Sequence, residues 1–477
     1  MDRSTGNTYN MSKGQNPPGI ERRRFRPYPR YKDSGVKWLG KIPAYWEVKK
    51  VKRICLVHRG ASPRPIDDPI YFDDEGEYAW VRIADVTASD RYLEQTTQRL
   101  SALGKARSVA LEPGDLFLSI AATVGKPVIT KIKCCIHDGF VYFAGLNENR
   151  EFLYYLFACD QIYKGLGKLG TQLNLNTDTI GDIYLPIPSG LDQQAIVQFL
   201  DRERAKIDSL IEKKERLIEL LQEKRTTLIT QAVTKGLDPT VPMKDSGVEW
   251  LGKIPKHWDL VPLKRCVRLN PDSIKMGPFG SQLLAADMQG EDIKVYNQRT
   301  VIDLDFLGGD GFISFQKFHE LKAFEVYPDD VLVTTRGTIG RCAIVPENAE
   351  RGILHPCLMR IQLDRGKLIE RFLALLIQES YLVKTQLGLA SNATTIDVIY
   401  SDTMRQVLVP KPPISEQVAI LKRIDERVAE ISRLVEMVSG AIDRLKEYHT
   451  ALISAAVTGK IDVRELARFD NNISPLN

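Results

Sequence analysis

The chain has 477 residues, too many for one hydrophobic core, so several domains are expected. Its 43% apolar and 27% charged residues are ordinary for a globular protein, and no apolar run reaches the roughly 18 residues a bilayer span needs. The net charge of +5 lies wholly in residues 1–31, where seven cations face two acids. The rest is neutral, so any nucleic-acid surface on it must be a local patch.

Residues 1–31 are rich in Asn, Gly, Pro and Arg and show little apolar periodicity. They read as a disordered basic arm, with ERRRFRPYPR suited to nucleic-acid contact or to solubility. No apolar leader region opens the chain, and the seven cysteines form no CxxC pair. A reduced, cytoplasmic protein with buried thiols and no metal site is expected.

Residues 32–46 read KDSGVKWLGKIPAYW, and 244–258 read KDSGVEWLGKIPKHW, a spacing of 212. PGDLFLSIAATVGKPVI at 113–129 likewise answers PDDVLVTTRGTIGRCAI at 328–344, and LITQAVTKG at 228–236 answers LISAAVTGK at 452–460. Between these anchors the copies diverge. Two domain-sized modules share a framework and differ in content.

The first module spans 32–190. YAWVRIADV (78–86), DLFLSIAA (115–122) and FVYFAGL (140–146) read as strands, and EFLYYLFACDQIYKGL (151–166) as a helix. Residues 191–243 form a spacer helix and linker. Its helix is predicted from about Leu191 to Val233, with Ser189 or Asp192 as cap and a seam through Leu200, Ile207, Leu210, Leu217, Leu221 and Leu228 that Lys214 and Lys224 interrupt. The second module, 244–412, repeats the order: IKVYNQRTVI (293–302), DVLVTTRG (330–337), then IERFLALLIQESYLVKTQL (369–387). The second spacer helix lies within 413–464, capped by Ser415, and 465–477 is a tail. Ile424, Val428, Ile431, Val435, Val438, Ile442, Leu445, His449, Leu452 and Ala456 alternate +4 and +3 as a coiled-coil seam with one polar member. The fold class is thus α+β: two pseudo-symmetric mixed α/β domains separated by two long helices that pair antiparallel. At about 1.5 Å per residue each helix is a rod of roughly 60 Å, against roughly 34 Å for a turn of B-DNA, which makes the pair a ruler for two half-sites.

Catalytic motifs do not emerge. NPPG at 16–19 lacks the aromatic of an adenine-methyltransferase loop, and no GxxxxGK[ST] or HExxH occurs. His137, Asp138 and His355 read as structural, and Asp329-Asp330 as a turn.

These motifs together resemble the DNA-specificity subunit of type I restriction–modification systems. The carriers are the KDSGVxWLGKIPxxW blocks, the TVGK (123–126) and TIGR (338–341) turns, YLPIP (184–188), VLVPKPP (407–413), the DQQ (192–194) and SEQ (415–417) helix openings, and the AVTKG and AVTGK stops. The resemblance covers about 32–464. It implies a non-catalytic subunit whose two target-recognition domains each read half of a bipartite, asymmetric site in double-stranded DNA. The helices would set the half-site spacing and dock two modification subunits. It places S-adenosylmethionine on those methyltransferase partners and ATP and Mg on restriction or translocase subunits, with no cofactor in this chain. The alternatives are a stand-alone nuclease or methyltransferase, and a coiled-coil scaffold without nucleic acid.

Within that reading, Arg336, Thr338 and Arg341 form a small-residue turn flanked by cations, matched by Thr123 and Lys126 in the first copy, where Ala121 replaces the Arg336 equivalent. Asn297, Gln298 and Arg299 follow a strand, as Arg82 does. Lys168, Gln172, Asn174 and Asn392 lie in polar loops after helices. Side-chain donors of these types are the groups that grip phosphates and read base edges.

Overall fold

The computed structural model describes residues 25–164, 166, 175–249, 251–279, 282–309, 311–388 and 398–468. Two compact units are divided at 212/213 and 441/442, so the first is built from both ends of the chain and the second from its middle.

In the first unit, Glu47–Lys50 pairs antiparallel with Tyr184–Ile187, which closes the globular domain and delivers the chain to the first long helix. Between these strands lie two sheets. One runs Leu56–Arg59, Phe140–Ala144, Leu116–Ser119, Pro127–Thr130, Tyr92–Leu93, and the other Gln98–Leu100, Tyr78–Val81, Cys134–Ile136, Val109–Leu111. Tyr78–Val81, Leu116–Ser119 and Cys134–Ile136 are buried at every position, so they carry apolar runs without alternation. Asn149 caps the domain helix Arg150–Phe157 by accepting from the Glu151 and Phe152 amides at 2.9 and 3.0 Å. That helix shares one core with Ile196, Phe199 and Leu200 of the first long helix and with Leu452, Ile453 and Ala456 of the second.

The second unit repeats the plan. Asp259–Pro262 pairs with Leu408–Lys411. Its sheets run Ile274–Met276, Leu358–Ile361, Val331–Thr334, Cys342–Ile344, and Phe312–Ile313, Ile293–Tyr296, Gly352–Leu354, Glu325–Val326. The domain helix Glu370–Gln378 packs in a core with Ile229, Ala232 and Val233 of the first long helix and Ile420, Leu421 and Ile424 of the second.

The long helices are Gly190–Lys235 and Ile414–Val457. In the first unit the start of one lies with the end of the other; in the second unit the roles reverse. The two helices therefore run antiparallel. The repeated blocks cradle the far helix ends. Trp46 and Ile42 pack on Ala456 and Val457, and Trp258 and Ile254 on Ala232 and Val233. Gly459, at φ +70°, passes so close to Pro43 that a Cβ would sit 2.4 Å from its ring. The stop after AVT is glycine for this approach as well as for its left-handed backbone.

Several expectations change. Phe25 and Tyr28 pack in the first unit's core, Arg26 bridges to Asp462, and Tyr31 begins a strand, so the arm expected over 1–31 does not extend over 25–31, while 1–24 lie outside the described residues. Phe25 and Tyr28 fill the space beside the end of the second long helix, a tertiary use that local periodicity does not announce. The run 78–86 splits into strand Tyr78–Val81 and helix Ile83–Ala88, and 293–302 into Ile293–Tyr296 and Gln298–Asp303, because Asn297 caps the second of these helices. The helix expected over 151–166 stops at Phe157, and that over 369–387 breaks at Ser380. Ser189 does cap the first long helix, with its Oγ accepting from Asp192 N at 3.3 Å, but Ser415 lies inside the second, whose first turn is closed by the Pro413 carbonyl.

The seam of the second long helix holds, since all ten positions are buried or half-buried. In the first, Leu210 and Leu217 are exposed, and Ile211, Lys214 and Ile218 take the inward places.

Candidate nucleic-acid interface

Each unit projects a closed turn from the end of a buried strand. In the second, Thr334 organises it: its hydroxyl donates to the Thr338 carbonyl and accepts from Arg341 N at 3.0 Å, while its own carbonyl accepts from Gly340 N at 3.0 Å. The loop presents Arg336, Gly337, Thr338 and Arg341 to solvent. Gly337 has φ +64°. In the first unit Ser119 does this work, with Oγ donating to Ala121 O at 2.9 Å and its carbonyl accepting from Gly125 N at 2.8 Å. Ala122 stands where the second unit has Gly337, at φ +53°, a conformation that costs a non-glycine residue about 1 kcal/mol. The turn's shape is thus held in both copies although its sequence is not.

Two further segments converge on the turn. In the orientation that pairs donors with acceptors, the Gln298 amide accepts from Thr338 N at 2.8 Å and Thr338 Oγ1 at 3.2 Å and donates to Arg336 O at 3.3 Å. Gln298 therefore braces the loop from behind. In the first unit Thr123 meets Thr87 at 2.9 Å, later on the corresponding helix. The second segment is the histidine loop. Thr335 N and Oγ1 both donate to Cys357 O, at 2.9 and 3.0 Å, and Ile120 N donates to Gly139 O at 2.9 Å.

The two histidines are equivalent. Gly139 N donates to His137 Nδ1 at 2.8 Å, and Cys357 N to His355 Nδ1 at 3.2 Å. Each ring therefore keeps its proton on Nε2 when neutral. Burial pushes the pKa of both below the ordinary value; Arg82 adds to this at His137, where Asp138 opposes it, and Arg336 adds to it at His355. A guanidinium thus stands beside the histidine in both units, but it comes from the strand-to-helix junction in one and from the turn in the other. The result is a neutral N–H donor and a fixed cation on one exposed edge, groups that suit base-edge acceptors and phosphate oxygens.

Of the sequence candidates, Arg82, Thr123, Arg336, Thr338 and Arg341 lie on this edge. Asn297 is a helix cap that accepts from Arg299 N and Thr300 N at 2.9 and 3.2 Å. Arg299 pairs with Asp303 at 3.1 Å on the surface. Lys126 turns inward: Nζ donates to the carbonyls of Thr87 and Ser89 at 3.1 and 2.6 Å, closing the end of the helix Ile83–Ala88. Lys168, Gln172, Asn174 and Asn392 lie outside the described residues. Sequence reasoning passed over Arg59 and Arg64, although HRGASPR at 58–64 places both within seven residues. Arg59 Nε donates to Asp138 O, and Arg64 pairs with the Asp138 carboxylate at 3.0 Å. Burial opposes ionisation of Asp138, but the Ser62 hydroxyl and the charge of Arg64 hold its pKa below the usual range.

Among the described residues no helix is long and apolar enough to cross a membrane. The family model described as the type I restriction modification DNA specificity domain matches residues 43–220 and 286–435. The EcoBI specificity subunit of Escherichia coli, a type I restriction enzyme, is 24% identical over 324 residues, spanning 64% of each chain. The MjaVIII specificity subunit of Methanocaldococcus jannaschii is 22% identical over 449 residues, 91% of this chain and 98% of that one. A chain from a solved structure described as the basis of complex assembly and conformational transition of the type I R-M system superposes with a TM-score of 0.58 at 15% identity, covering 87% of this chain and 98% of that one.

Proposed function

This chain belongs to the type I restriction modification DNA specificity family, and from that premise we propose that its two units read the two halves of one bipartite, asymmetric DNA site. The observation that carries the reading is the paired edge just described. One framework, set by Ser119 or Thr334 and by His137 or His355, presents its guanidinium from different places: Arg82 in one unit, where the matching Asn297 is a helix cap, and Arg336 in the other, where the matching residue is Ala121. Shared scaffolding with unlike readers is what an asymmetric target requires.

In this reading the chain performs no chemistry. The long helices set the gap between half-sites and dock two adenine-methyltransferase subunits, which bind S-adenosylmethionine. Restriction or translocase subunits bring ATP and Mg. Support comes from the two continuous helices and from relatives named as specificity subunits of restriction enzymes. A cytoplasmic location fits such a complex.

The test is to co-express the chain with its modification subunits and map methylated adenines across a genome at base resolution. A two-part motif with a fixed gap is expected. Methylation at single, ungapped motifs, or none that depends on this chain, would overturn the reading. Exchanging 48–190 for another reader is expected to change one half-site only. Binding should also fall steeply with salt, because phosphate contacts release counterions.

A further inference from the structure

We infer that Gln193 and Gln417 are positioning residues: they lock the angle at which each recognition domain meets its long helix, and so set how sharply the protein selects the gap between half-sites. The inference rests on the bipartite reading above.

Each glutamine sits in the first turn of a long helix. Both are almost fully buried, at 1% and 0% exposure, in otherwise apolar surroundings. Gln193 Oε1 accepts from Asn149 N at 3.0 Å, and its Nε2 donates to Pro188 O at 3.1 Å and to Glu148 Oε2 at 2.6 Å. Gln417 Oε1 accepts from Ile369 N at 2.9 Å, and its Nε2 donates to Lys367 O at 3.0 Å and Pro412 O at 2.9 Å. Two of the three partners correspond. Pro188 and Pro412 directly follow the strand that feeds the helix, and Asn149 and Ile369 are the residues before the domain helix. One side chain thus ties together the closing strand, the long helix and the domain helix in each unit.

The neighbouring tethers differ. In the first unit Glu151 and Asp201 are joined through Arg91; in the second, Arg371 at the Glu151 position pairs directly with Asp425. What surrounds the joint has changed, and the third bond goes to the Glu148 carboxylate in one unit and the Lys367 carbonyl in the other, but the glutamine and its bonds to the residue before the domain helix and to the proline carbonyl are the same. Apolar contact tolerates a helix sliding or tilting by a fraction of an ångström, whereas a buried amide is satisfied in one geometry only. The lever is long. A tilt of about 5° at one end of a helix of roughly 70 Å moves its other end by about 6 Å, close to two base-pair steps.

The experiment uses the complete complex with its modification subunits. Gln193→Met and Gln417→Met keep length and apolar fit while removing all three bonds. Methylation is measured on duplexes with both half-sites constant and the gap varied one base pair at a time. Expected is a rise of about tenfold in methylation at gaps one base pair too long or short, relative to the preferred gap, with half-site sequences unchanged. Ile353→Ala, in a separate cluster of the second unit, is the control for general loosening. An unchanged gap ratio in the folded variants, or equal broadening in the control, would overturn the inference. If a Met variant does not assemble, Gln→Asn at the same position, one methylene short of its partners, carries the same comparison. A wild-type complex without any two-part motif would sink the bipartite reading itself, an outcome visible before any variant is made.

Discussion

In the second unit Trp258 Nε1 donates to Glu416 Oε2 at 3.0 Å, and His257 Nε2 shares that carboxylate at 2.8 Å. In the first unit the matching residues are Trp46, Asp192 and Tyr45. Trp46 Nε1 and Asp192 Oδ2 are both buried without a close hydrogen-bond partner, and the Tyr45 side chain, not a direct carboxylate–indole bond, stands beside both. Aspartate is one methylene shorter and does not reach. Tyr28 OH is a third buried polar atom in the same position. Two joints of one design have therefore been tuned apart. The second closes its hydrogen bonds, and the first relies on packing by Tyr28, Tyr45 and Trp46. The ionic tethers split in the opposite sense, with buried Arg91 holding two acids in the first unit and the half-exposed pair Arg371–Asp425 in the second. A duplicated framework keeps its geometry while its local chemistry drifts.

The largest effect expected from this contrast is at the ionic tethers. Arg91 is 6% exposed and lies against three tyrosine rings while pairing with Glu151 and Asp201. Arg91→Ala leaves two carboxylates facing each other across a cavity and is expected to cost about 3 kcal/mol in urea unfolding. Arg371→Ala removes an exposed pair and should cost about 0.5 kcal/mol. Equal costs would mean that the two tethers do the same work despite their different burial.

Next comes the tryptophan joint. Asp192→Glu is expected to bring a carboxylate to Trp46 Nε1 and stabilise the protein by about 1 kcal/mol. Glu416→Asp should strip the bond from Trp258 and destabilise by a similar amount, about 1 kcal/mol. Opposite signs for the two exchanges, read as shifts in denaturation midpoint, are the signature. A loss in both would show that the first joint is already optimised around aspartate.

The histidines give a smaller, pH-dependent effect. Both have folded pKa values below the ordinary one, so between the lowered values and about 6.5 the unfolded chain binds more protons than the folded one. Stability therefore rises with pH across that window and is lost as pH falls below about 6.5. The window lies above the range of ordinary carboxylates. His137→Asn keeps an acceptor near the Nδ1 position for Gly139 N and removes the titration, so its stability should vary less between pH 7 and 5.5 than that of wild type. The same slope in both would show that His137 titrates normally.

How much of this was legible follows from where each signal resides. The repeated blocks announced two modules on one framework, but that Trp46 and Trp258 each pack with a long-helix end emerged only from the fold. DQQ and SEQ marked the helix openings, and each contains its latch glutamine. The interface was legible as segments and less so as side chains. Lys126 and Gln298 stood in the right loops but face inward, because a helix end and a turn carbonyl claimed their donors. Where a long polar side chain points is decided by partners distant in sequence, and the spacing of neighbours does not encode it.

The first long helix shows the same limit, and it holds the single substitution with the smallest expected effect, Leu217→Lys. The seam read from the sequence included Leu210 and Leu217, and both are exposed at 46% and 43%. A strict alternation of four and three from Leu200 runs instead through Arg204, Ile207, Ile211, Lys214, Ile218, Leu221, Arg225, Leu228 and Ala232, and each of these is buried or half-buried. Charged residues occupy three of those places because long stems can cover apolar surface while their heads reach solvent. In the second helix the matching seam holds one polar residue, His449, so apolar residues alone reveal its period. Leu217→Lys is therefore expected to change stability by less than about 0.5 kcal/mol, while Ile211→Lys should cost about 1 to 2 kcal/mol. If Leu217→Lys proved the more damaging of the two, the phase of the first helix would have to be rotated, and the asymmetry between the two seams would disappear.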